Sequence, residues 1–337
     1  MATSTITILF LLFQLCTTSL ILVSSARCNK DDKKALLAIK SSFHNAYHFS
    51  SWDPSTPCCD WYGVECDPAT GRVTALSVFQ DTNVTGPIPS SVASLPYLRE
   101  LFFHHLPNLV GPIPSSISNL THLEYLTISW TGLSGSIPSF LGSLTSLTQL
   151  DLSFNSLSGS IPPSFSQLRN LISIDISRNH LTGSLPTTLF QLLPPSSQPA
   201  YLRLSHNNLS GEIPKSYADV GFAQVDLSRN RFTGDGSVFF GRSKPVQQID
   251  LSRNLLEFDL SKVEFPKKEL MQVDLSHNLI RGRIPDGIIH VWNLQFFNMS
   301  YNRLCGEIPS GGQMGRFDEY CYQHNKCLCG TPLPPCK

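Results

Sequence analysis

The sequence predicts an α/β solenoid, in which about ten units of about 24 residues stack into a right-handed superhelix with one parallel, concave β-sheet. Three observations favour it. A pattern of leucine, serine and asparagine recurs at a nearly constant period along most of the 337 residues. Glycine and proline, at 21 and 24 residues, are too frequent for a helical bundle. The cysteines cluster toward the two ends, where a solenoid must close its core.

The repeat is clearest in two consecutive units. Leu150 and Asn155 are matched 24 residues later by Ile174 and Asn179. The same asparagine returns at Asn207, Asn230, Asn254, Asn278 and Asn302. Self-similarity at this period is the signature of a leucine-rich-repeat solenoid. It places ten units between residues 73 and 304.

Each unit predicts its own local structure. Leu150 and Leu152 point into the core from a short strand, so Gln149, Asp151 and Ser153 point out of it. Asn155 follows where the chain turns, and its amide can satisfy backbone groups that the turn leaves unpaired. The outward positions of successive units therefore form columns on the concave face.

The ends of the chain differ from the repeats. Residues 1–26 are mostly apolar and finish in small residues, which is typical of a secretory signal peptide. Residues 27–72 form an N-terminal cap with a helix around Asp31–Phe43, and residues 305–337 form a C-terminal cap. No second apolar run is long enough to span a membrane, so we expect no membrane anchor.

Both caps contain several cysteines, which we interpret as disulfide staples of a secreted protein. These are Cys28, Cys58, Cys59 and Cys66 in the N-terminal cap, and Cys305, Cys321, Cys327, Cys329 and Cys336 in the C-terminal cap. Pairing by sequence proximity joins Cys28 to Cys58, Cys59 to Cys66, Cys305 to Cys327 and Cys329 to Cys336, although sequence alone leaves connectivity open. Cys321 is then a spare thiol or an intermolecular bridge. Zinc spacings are absent, so we expect no metal.

Composition and motifs disfavour nucleic-acid binding and catalysis. The 25 basic and 25 acidic side chains balance, and charged residues are only 15% of the chain. No phosphate loop or cofactor motif is present, so no cofactor is expected. Asp274, Ser276 and His277 look like a hydrolase set on paper. However, the serine recurs at this position in consecutive units, so it belongs to the repeat, and we expect no enzyme activity.

Two columns of outward positions carry most of the polar chemistry. The central strand position is an aspartate in five units, namely Asp151, Asp175, Asp226, Asp250 and Asp274. The position just before the repeat asparagine is basic in the middle units and aromatic toward both ends. The two ladders either neutralise each other as part of the repeat, or meet a charged protein partner.

Aromatic side chains favour a binding face. Tyr125, Trp130, Phe154 and Tyr201 face solvent if this register is right, and exposed aromatic patches often mark interfaces. We therefore expect a protein partner to contact these rings, the five aspartates and His277.

Four N-glycosylation sequons are present, at Asn83, Asn119, Asn208 and Asn298. They fit a secreted glycoprotein. Asn298 lies in the central concave column, so a glycan there closes one end of the face, or the site stays unmodified because a neighbouring strand crowds it.

Three longer stretches are more specific than the repeat. They are Cys58–Asp67, the Val225–Pro266 segment and the end from Phe317 to Cys336. Together with Leu-x-Gly-x-Ile-Pro motifs such as residues 157–162, they make the whole mature chain similar to the polygalacturonase-inhibiting proteins of plants.

The resemblance implies a plant defence protein of the cell wall or apoplast, which binds endopolygalacturonases of fungi, with insect enzymes as a further target. It implies that the concave face recognises the enzyme and limits pectin degradation. An enzyme that cuts a polyanion needs a basic groove, against which the aspartate ladder can dock. The resemblance also implies pectin (homogalacturonan) binding by clustered basic residues, here at Arg178, His206, Arg229, Arg231 and Arg253.

Two features depart from the family pattern. Cys321 adds a cysteine to the C-terminal cap, and Arg203 interrupts the aspartate ladder. The main alternative function is a secreted recognition module or co-receptor for another ligand. A minor one is ice binding, which requires a flat, regular threonine or asparagine surface that the charged concave columns do not resemble.

Overall fold

A computed structural model describes residues 27–190 and 198–337, and it shows the predicted solenoid with a parallel sheet. The predicted signal peptide, residues 1–26, lies outside the described residues. None of the helices in the described ranges is long and apolar enough to cross a membrane.

One α-helix, α1, spans Lys30–Ser42. Strands β1 to β19 of the described residues are, in chain order, Val64–Cys66, Val73–Phe79, Glu100–Gly111, Tyr125–Ser136, Gln149–Asp151, Ser156–Gly159, Ser173–Asp175, His180–Gly183, Ala200–Arg203, Asn208–Glu212, Phe222–Asp226, Arg231–Gly234, Gln248–Asp250, Leu255–Leu256, Gln272–Asp274, Arg281–Gly282, Phe296–Asn298, Arg303–Glu307 and Cys327–Cys329. Short 3-10 helices span Tyr47–Phe49, Cys58–Asp60, Ser90–Ser94, Ser115–Asn119, Ser139–Ser143, Pro163–Gln167, Lys215–Asp219, Ser237–Phe239, Leu260–Lys262, Asp286–His290, Met314–Arg316 and Glu319–Cys321.

The concave sheet has one parallel strand for each predicted unit. Its order after the antiparallel strand β1 is β2, β3, β4, β5, β7, β9, β11, β13, β15 and β17. The long strands β3 and β4 turn away from the concave face, and β4 continues there into a second row of parallel strands, β6, β8, β10, β12 and β14. The concave row and this second row therefore share β4, and β16, β18 and β19 form a separate three-stranded sheet in the described residues.

The repeated aliphatic residues form one continuous core. Leu150, Leu152, Ile174 and Ile176 are completely buried. Because side chains alternate across a strand, the residues between them face the concave surface. The core thus fixes which positions are available for a partner.

A ladder of buried asparagines, which begins at Asn155 in the fourth coil, joins each of the later coils to the coil before it. Asn230 donates from its side-chain amide to the carbonyl oxygens of Leu204 at 3.0 Å and of Leu227 at 3.1 Å. Its Oδ1 accepts the backbone N–H of Leu209 at 3.0 Å. The pattern repeats at Asn179, Asn207, Asn254, Asn278 and Asn302. Each amide therefore satisfies buried backbone groups of two coils.

The ladder continues into the C-terminal segment. Asn325 donates to the carbonyl oxygens of Met299 and Tyr322, and its Oδ1 accepts the N–H of Leu304. Residues near 320–329 therefore form a further partial coil that covers the last core layer.

The N-terminal helix closes the opposite end. Asn29 caps α1 by accepting the N–H groups of Asp31 and Asp32. The buried carboxylate of Asp32 accepts two bonds from the Arg72 guanidinium, at 2.7 and 2.9 Å, and one from the N–H of Val73 at 2.8 Å. A buried charge needs such partners, so this bidentate pair fixes α1 onto β2.

Disulfides staple both caps. The pairs are Cys28–Cys58, Cys59–Cys66, Cys305–Cys327 and Cys329–Cys336. Cys321 has no disulfide partner among the described residues. Burial and the neighbouring Asp318 carboxylate raise the pKa of its thiol to about 11. Cys321 is therefore a protonated, weakly nucleophilic thiol at neutral pH.

We expect Asn230→Ala to destabilise the protein by about 2–4 kcal/mol, because it leaves buried backbone groups without partners. Thermal unfolding followed by circular dichroism should show a lower Tm. The exposed amide of Gln295 provides the control, and Gln295→Ala should leave the Tm almost unchanged. Equal effects of the two substitutions would contradict a structural role for the ladder.

Candidate functional site

The aspartate ladder lies along the middle of the concave sheet. Asp151 pairs with Asp175, and Asp226, Asp250 and Asp274 pair in register on β11, β13 and β15. Each of the five accepts, through Oδ1, the backbone N–H of the serine two residues later, at 2.9–3.0 Å. The aspartates therefore order the strand ends, and they still expose part of each carboxylate on the face.

Burial raises the pKa of two aspartates of the ladder. Burial, with smaller contributions from Asp226 and Asp274, raises the pKa of Asp250 to about 6. Burial also raises the pKa of Asp175, and the nearby Asp151 carboxylate adds to it. The charge of the face therefore changes over the mildly acidic pH range.

Arg203 divides the ladder, as its sequence position suggests. Its guanidinium donates to the Gln224 side-chain oxygen at 2.6 and 3.1 Å and lies 3.9 Å from an Asp175 oxygen. It also lies 5.8 Å from the centre of the Tyr201 ring. Arg203 thus partly neutralises Asp175 within the sheet. The negative charge of the concave face is therefore concentrated at Asp226, Asp250 and Asp274.

These three aspartates border a shallow depression of about 300 Å³. Gln224, Gln248 and Gln272 line one side of it, and Phe296 closes the end. Carboxylates, amides and one aromatic edge offer acceptors and a small apolar contact. A basic side chain of a protein partner fits this chemistry.

The column before the repeat asparagine has an unusual backbone. All ten residues, Gln80, His105, Trp130, Phe154, Arg178, His206, Arg229, Arg253, His277 and Tyr301, have φ between +53° and +56°. This left-handed conformation costs a non-glycine residue about 1–2 kcal/mol. Backbone bonds between coils hold it, for example from the N–H of Trp130 to the carbonyl of Ser153 at 3.1 Å. The side chains project together at one edge of the concave sheet.

Aromatic rings in this column stack at both ends of the molecule. Trp130 and Phe154 stack with centroids 3.7 Å apart, and the Arg178 guanidinium lies 4.9 Å from the Phe154 ring. At the other end His277, Tyr301 and His324 stack with successive centroids 4.1 Å apart. Trp130 and Tyr301 each remain 45% exposed. Both stacks are available to a partner.

Basic side chains occupy the middle of the column, between the two stacks. They are Arg178, His206, Arg229 and Arg253, in consecutive coils. Burial and the flanking arginines Arg178 and Arg229 lower the pKa of His206. Burial and Arg253 likewise lower the pKa of His277. Both imidazoles therefore stay neutral at near-neutral pH, and the arginines carry the positive charge.

The other predicted residues lie around this centre. Tyr125 and Tyr201 are exposed at the outward strand position two residues before the central one, on β4 and β9, with β5 and β7 between them. Arg231 begins β12, in the second row of strands, two residues beyond Arg229. The hydrolase-like trio does not assemble, since Ser276 is buried, its N–H binds Asp274, and His277 stacks on Tyr301.

Tyr301 and His324 are not among the partner-binding residues predicted from the sequence. His324 follows Tyr301 by one repeat length and has the same left-handed backbone, with φ of +60°. The period of the repeat could have identified it, but the cap sequence lacks the leucine pattern that marks a unit.

The sequons differ in access. Asn83, Asn119 and Asn208 are exposed. Asn298 is half-buried, and its Oδ1 accepts bonds from the N–H and hydroxyl of Ser300, the third residue of its own sequon. Ser300 itself is buried.

Three cysteine sulfurs of the N-terminal cap lie close enough together to hold a metal ion. The sulfurs of Cys28, Cys58 and Cys59 lie within 4.8 Å of one another. All three are in disulfides, so none provides the thiolate that a metal requires.

Comparison with known proteins identifies the family. Models of the leucine rich repeat N-terminal domain and of the leucine rich repeat match residues 29–67, 121–181, 200–219 and 293–313. Polygalacturonase inhibitor 1 of Arabidopsis thaliana is 51% identical over 337 residues, which cover 99% of both chains. The chain belongs to the polygalacturonase-inhibitor family. The polygalacturonase inhibitor of Pyrus communis is 52% identical over 92% of each chain.

The polygalacturonase-inhibitor backbone is also shared with a protein of another stated activity. A crystal structure of a plant ice-binding protein superposes with a TM-score of 0.88 and 46% identity, over 92% of this chain and 99% of that one. Membership of the polygalacturonase-inhibitor family confirms the resemblance seen in the sequence, and it identifies the chain as an inhibitor and not an enzyme.

We expect stability to reflect the raised pKa of Asp250. Between about pH 4, where an aspartate in the unfolded chain titrates, and about pH 6, the folded state retains a proton that the unfolded chain has released. The free energy of unfolding contributed by Asp250 therefore falls as the pH rises through this window. Asp250→Asn should raise the Tm relative to the unsubstituted protein more at pH 7 than at pH 4.

Asp235→Asn is the matched control. Asp235 is exposed, and it also accepts an N–H two residues later, from Ser237 at 2.8 Å. If the Tm difference between Asp250→Asn and the unsubstituted protein is the same at both pH values, the pKa of Asp250 is not raised in the folded state.

Proposed function

We propose that this protein binds endopolygalacturonases on its concave face and inhibits them, and so limits pectin degradation. The observation that carries the proposal is the identity of about 50% over nearly the whole chain to proteins named polygalacturonase inhibitors. We propose fungal enzymes as the main targets and insect enzymes as further ones. The concave columns supply the chemistry such a complex needs.

Charge complementarity supports docking through the aspartates. A polygalacturonase must hold a polyanionic substrate, so its groove carries basic side chains. Asp226, Asp250 and Asp274 offer carboxylate oxygens around one depression, where such a side chain can be bound. Opposite charges across an interface steer encounter and fix register more than they add affinity. The occupied groove would then exclude substrate.

Packing supports a hot spot at the aromatic end. The exposed Trp130 stacks on the half-buried Phe154, and the exposed Tyr125 lies at the start of the same strand, β4. Tryptophan and tyrosine dominate binding energy in many interfaces because they bury much surface with little loss of freedom. The His277–Tyr301 stack offers a second anchor beyond the depression.

We expect Trp130→Ala and Asp226→Lys each to weaken inhibition at least about tenfold, because they remove an anchor and reverse a docking charge. Release of reducing ends from polygalacturonate by a panel of fungal endopolygalacturonases measures this. Trp292→Ala is the control, since Trp292 is equally an exposed tryptophan but lies in the turn before β17.

Inhibition that survives both concave substitutions would place the site elsewhere. A folded protein that inhibits no enzyme of the panel would favour a recognition module or co-receptor for another ligand. Thermal hysteresis would instead support ice binding, which the shared backbone allows but the charged concave face does not favour.

We further propose that the basic middle of the left-handed column retains the protein on pectin. Arg178, Arg229 and Arg253 are exposed, with Arg231 nearby on β12, and they form a track that can follow a homogalacturonan chain. His206 contributes when it is protonated at acidic pH, because burial and the arginines lower its pKa.

Replacing Arg229 and Arg253 together by glutamine should weaken binding to immobilised polygalacturonate about three- to tenfold and reduce its salt dependence. The double variant Arg242→Gln with Lys267→Gln is the matched control, because it also removes two exposed positive charges, one of them from a surface pair with Glu264, and it should have little effect. Equal losses in the two proteins would indicate a non-specific charge effect instead of a track.

We propose that the protein acts outside the cell, in the wall or apoplast. The apolar leader, the four disulfides and the exposed sequons support this location. We propose glycans on Asn83, Asn119 and Asn208. Asn298 is the least accessible sequon, because its side chain is already bonded within the sheet.

A further inference from the structure

A second concavity lies between the N-terminal cap and the first strand of the concave sheet, and Gln80, the first residue of the left-handed column, reaches its edge. Its volume is about 570 Å³, within the range of sites that bind small molecules. Tyr47 and Tyr62 border it and are 81% and 52% exposed, and the half-buried Phe79 also lines it. Such aromatic exposure beside a concavity indicates a binding surface.

The rings of Tyr47, Tyr62 and Phe79 form the aromatic platform of this concavity. The backbone of Tyr62 is held rigidly. Its N–H donates to the Ser51 hydroxyl, and its carbonyl accepts from the Trp52 indole, both at 2.9 Å. The Cys59–Cys66 disulfide closes the loop around it. The next residue must be glycine, since a Cβ on Gly63 would lie 2.1 Å from a backbone oxygen of β2. The backbone that carries the ring is therefore fixed, and the ring lies against His48 and Phe79, with centroids 5.1 and 5.7 Å away, which lowers the cost of binding a ligand.

Polar groups surround the aromatic platform. The Asp81 carboxylate accepts the N–H groups of His48 and Asn83, at 2.9 and 2.7 Å, and is thereby fixed on the rim. Side chains of Gln80 and Thr82 and two serines complete the lining. Among the described lining residues no lysine or arginine balances the carboxylate. Burial lowers the pKa of His48, so its ring stays neutral.

We propose that this concavity is a binding site for a neutral pyranose sugar. The apolar face of a pyranose packs its polarised C–H groups on the electron-rich face of an aromatic ring. Its hydroxyls donate to a carboxylate and exchange bonds with amides and serine hydroxyls. The unbalanced Asp81 repels a uronate, so the site excludes galacturonate and is distinct from the proposed pectin track.

The sugar has two possible sources with the same chemistry. One is a neutral glycan of another molecule, either a wall polysaccharide or a glycoprotein. The other is the chain's own glycan, because Asn83 is a sequon residue on the rim of the concavity. Comparison of the glycosylated protein with Asn83→Gln distinguishes the two sources.

Saturation-transfer NMR with mannotriose, cellotetraose, xylotetraose and galactotetraose tests the proposal without any polygalacturonase. We expect transfer to the C–H protons of at least one neutral sugar, and an affinity about three- to tenfold lower in Tyr62→Ala. Tyr62→Phe keeps the ring and should keep the binding. Tyr320→Ala, an exposed tyrosine of the opposite cap, is the matched control and should bind like the unsubstituted protein.

Trigalacturonate tests the role of charge. It should show no Tyr62-dependent transfer, and Asp81→Asn should allow it to bind at this site. Sugar binding by both the glycosylated protein and Asn83→Gln would identify an external ligand. Binding by Asn83→Gln alone would show that the chain's own glycan fills the site.

The proposal is overturned if no neutral sugar binds either form of the protein. It is also overturned if binding is unaffected by both Tyr62→Ala and Tyr47→Ala. If Tyr62→Ala weakens polygalacturonase inhibition while neither form binds a sugar, the platform is a protein contact. None of these sugar-binding results decides the proposed inhibitor function, which is tested separately by the release of reducing ends from polygalacturonate.

Discussion

The hydrogen bonds of the repeat asparagines are the interaction on which the rest of the structure depends. A coil of this size turns sharply after each short strand, and the turn leaves backbone groups inside the core. Each asparagine amide joins those groups to the preceding coil, as at Asn230. Without it the leucines could still cluster, but the coils would lose their common register. The asparagines keep this register the same from the fourth unit onward, and main-chain bonds between coils extend the columns through the first three units.

The periodic part of the molecule could be predicted from the sequence because period and geometry are directly linked. The spacing of leucines gives the strands, and the alternation within a strand gives the outward columns, such as the pairing of Asp226 with Asp250. The continuation of the ladder to Asn325 lies in a segment with Tyr322 and Cys327 where the repeat has leucines, so pattern alone did not reveal it. The N-terminal concavity arises from contacts between the cap and the first strand, which no repeat encodes.

Other properties of the candidate site depend on surroundings that a sequence does not display. Tryptophan, phenylalanine and arginine have no preference for a left-handed backbone, yet Trp130, Phe154 and Arg178 adopt it because bonds from neighbouring coils leave no alternative. The pKa of Asp250 depends on its burial between two other aspartates. Arg203 interrupts the ladder as expected, but the structure alone shows that Gln224 and Tyr201 share its charge.

The left-handed column has a consequence for how such a protein can change. Its backbone is fixed by main-chain bonds between coils and, from Phe154 onward, also by the buried asparagine that follows, so the side chain there contributes little to the fold. The ten positions accordingly hold glutamine, histidine, tryptophan, phenylalanine, arginine and tyrosine. None is β-branched or proline, the classes that a positive φ tolerates least. New specificities can therefore arise by single substitutions in this column with little loss of stability. The backbone geometry limits these substitutions to residue types that tolerate a positive φ.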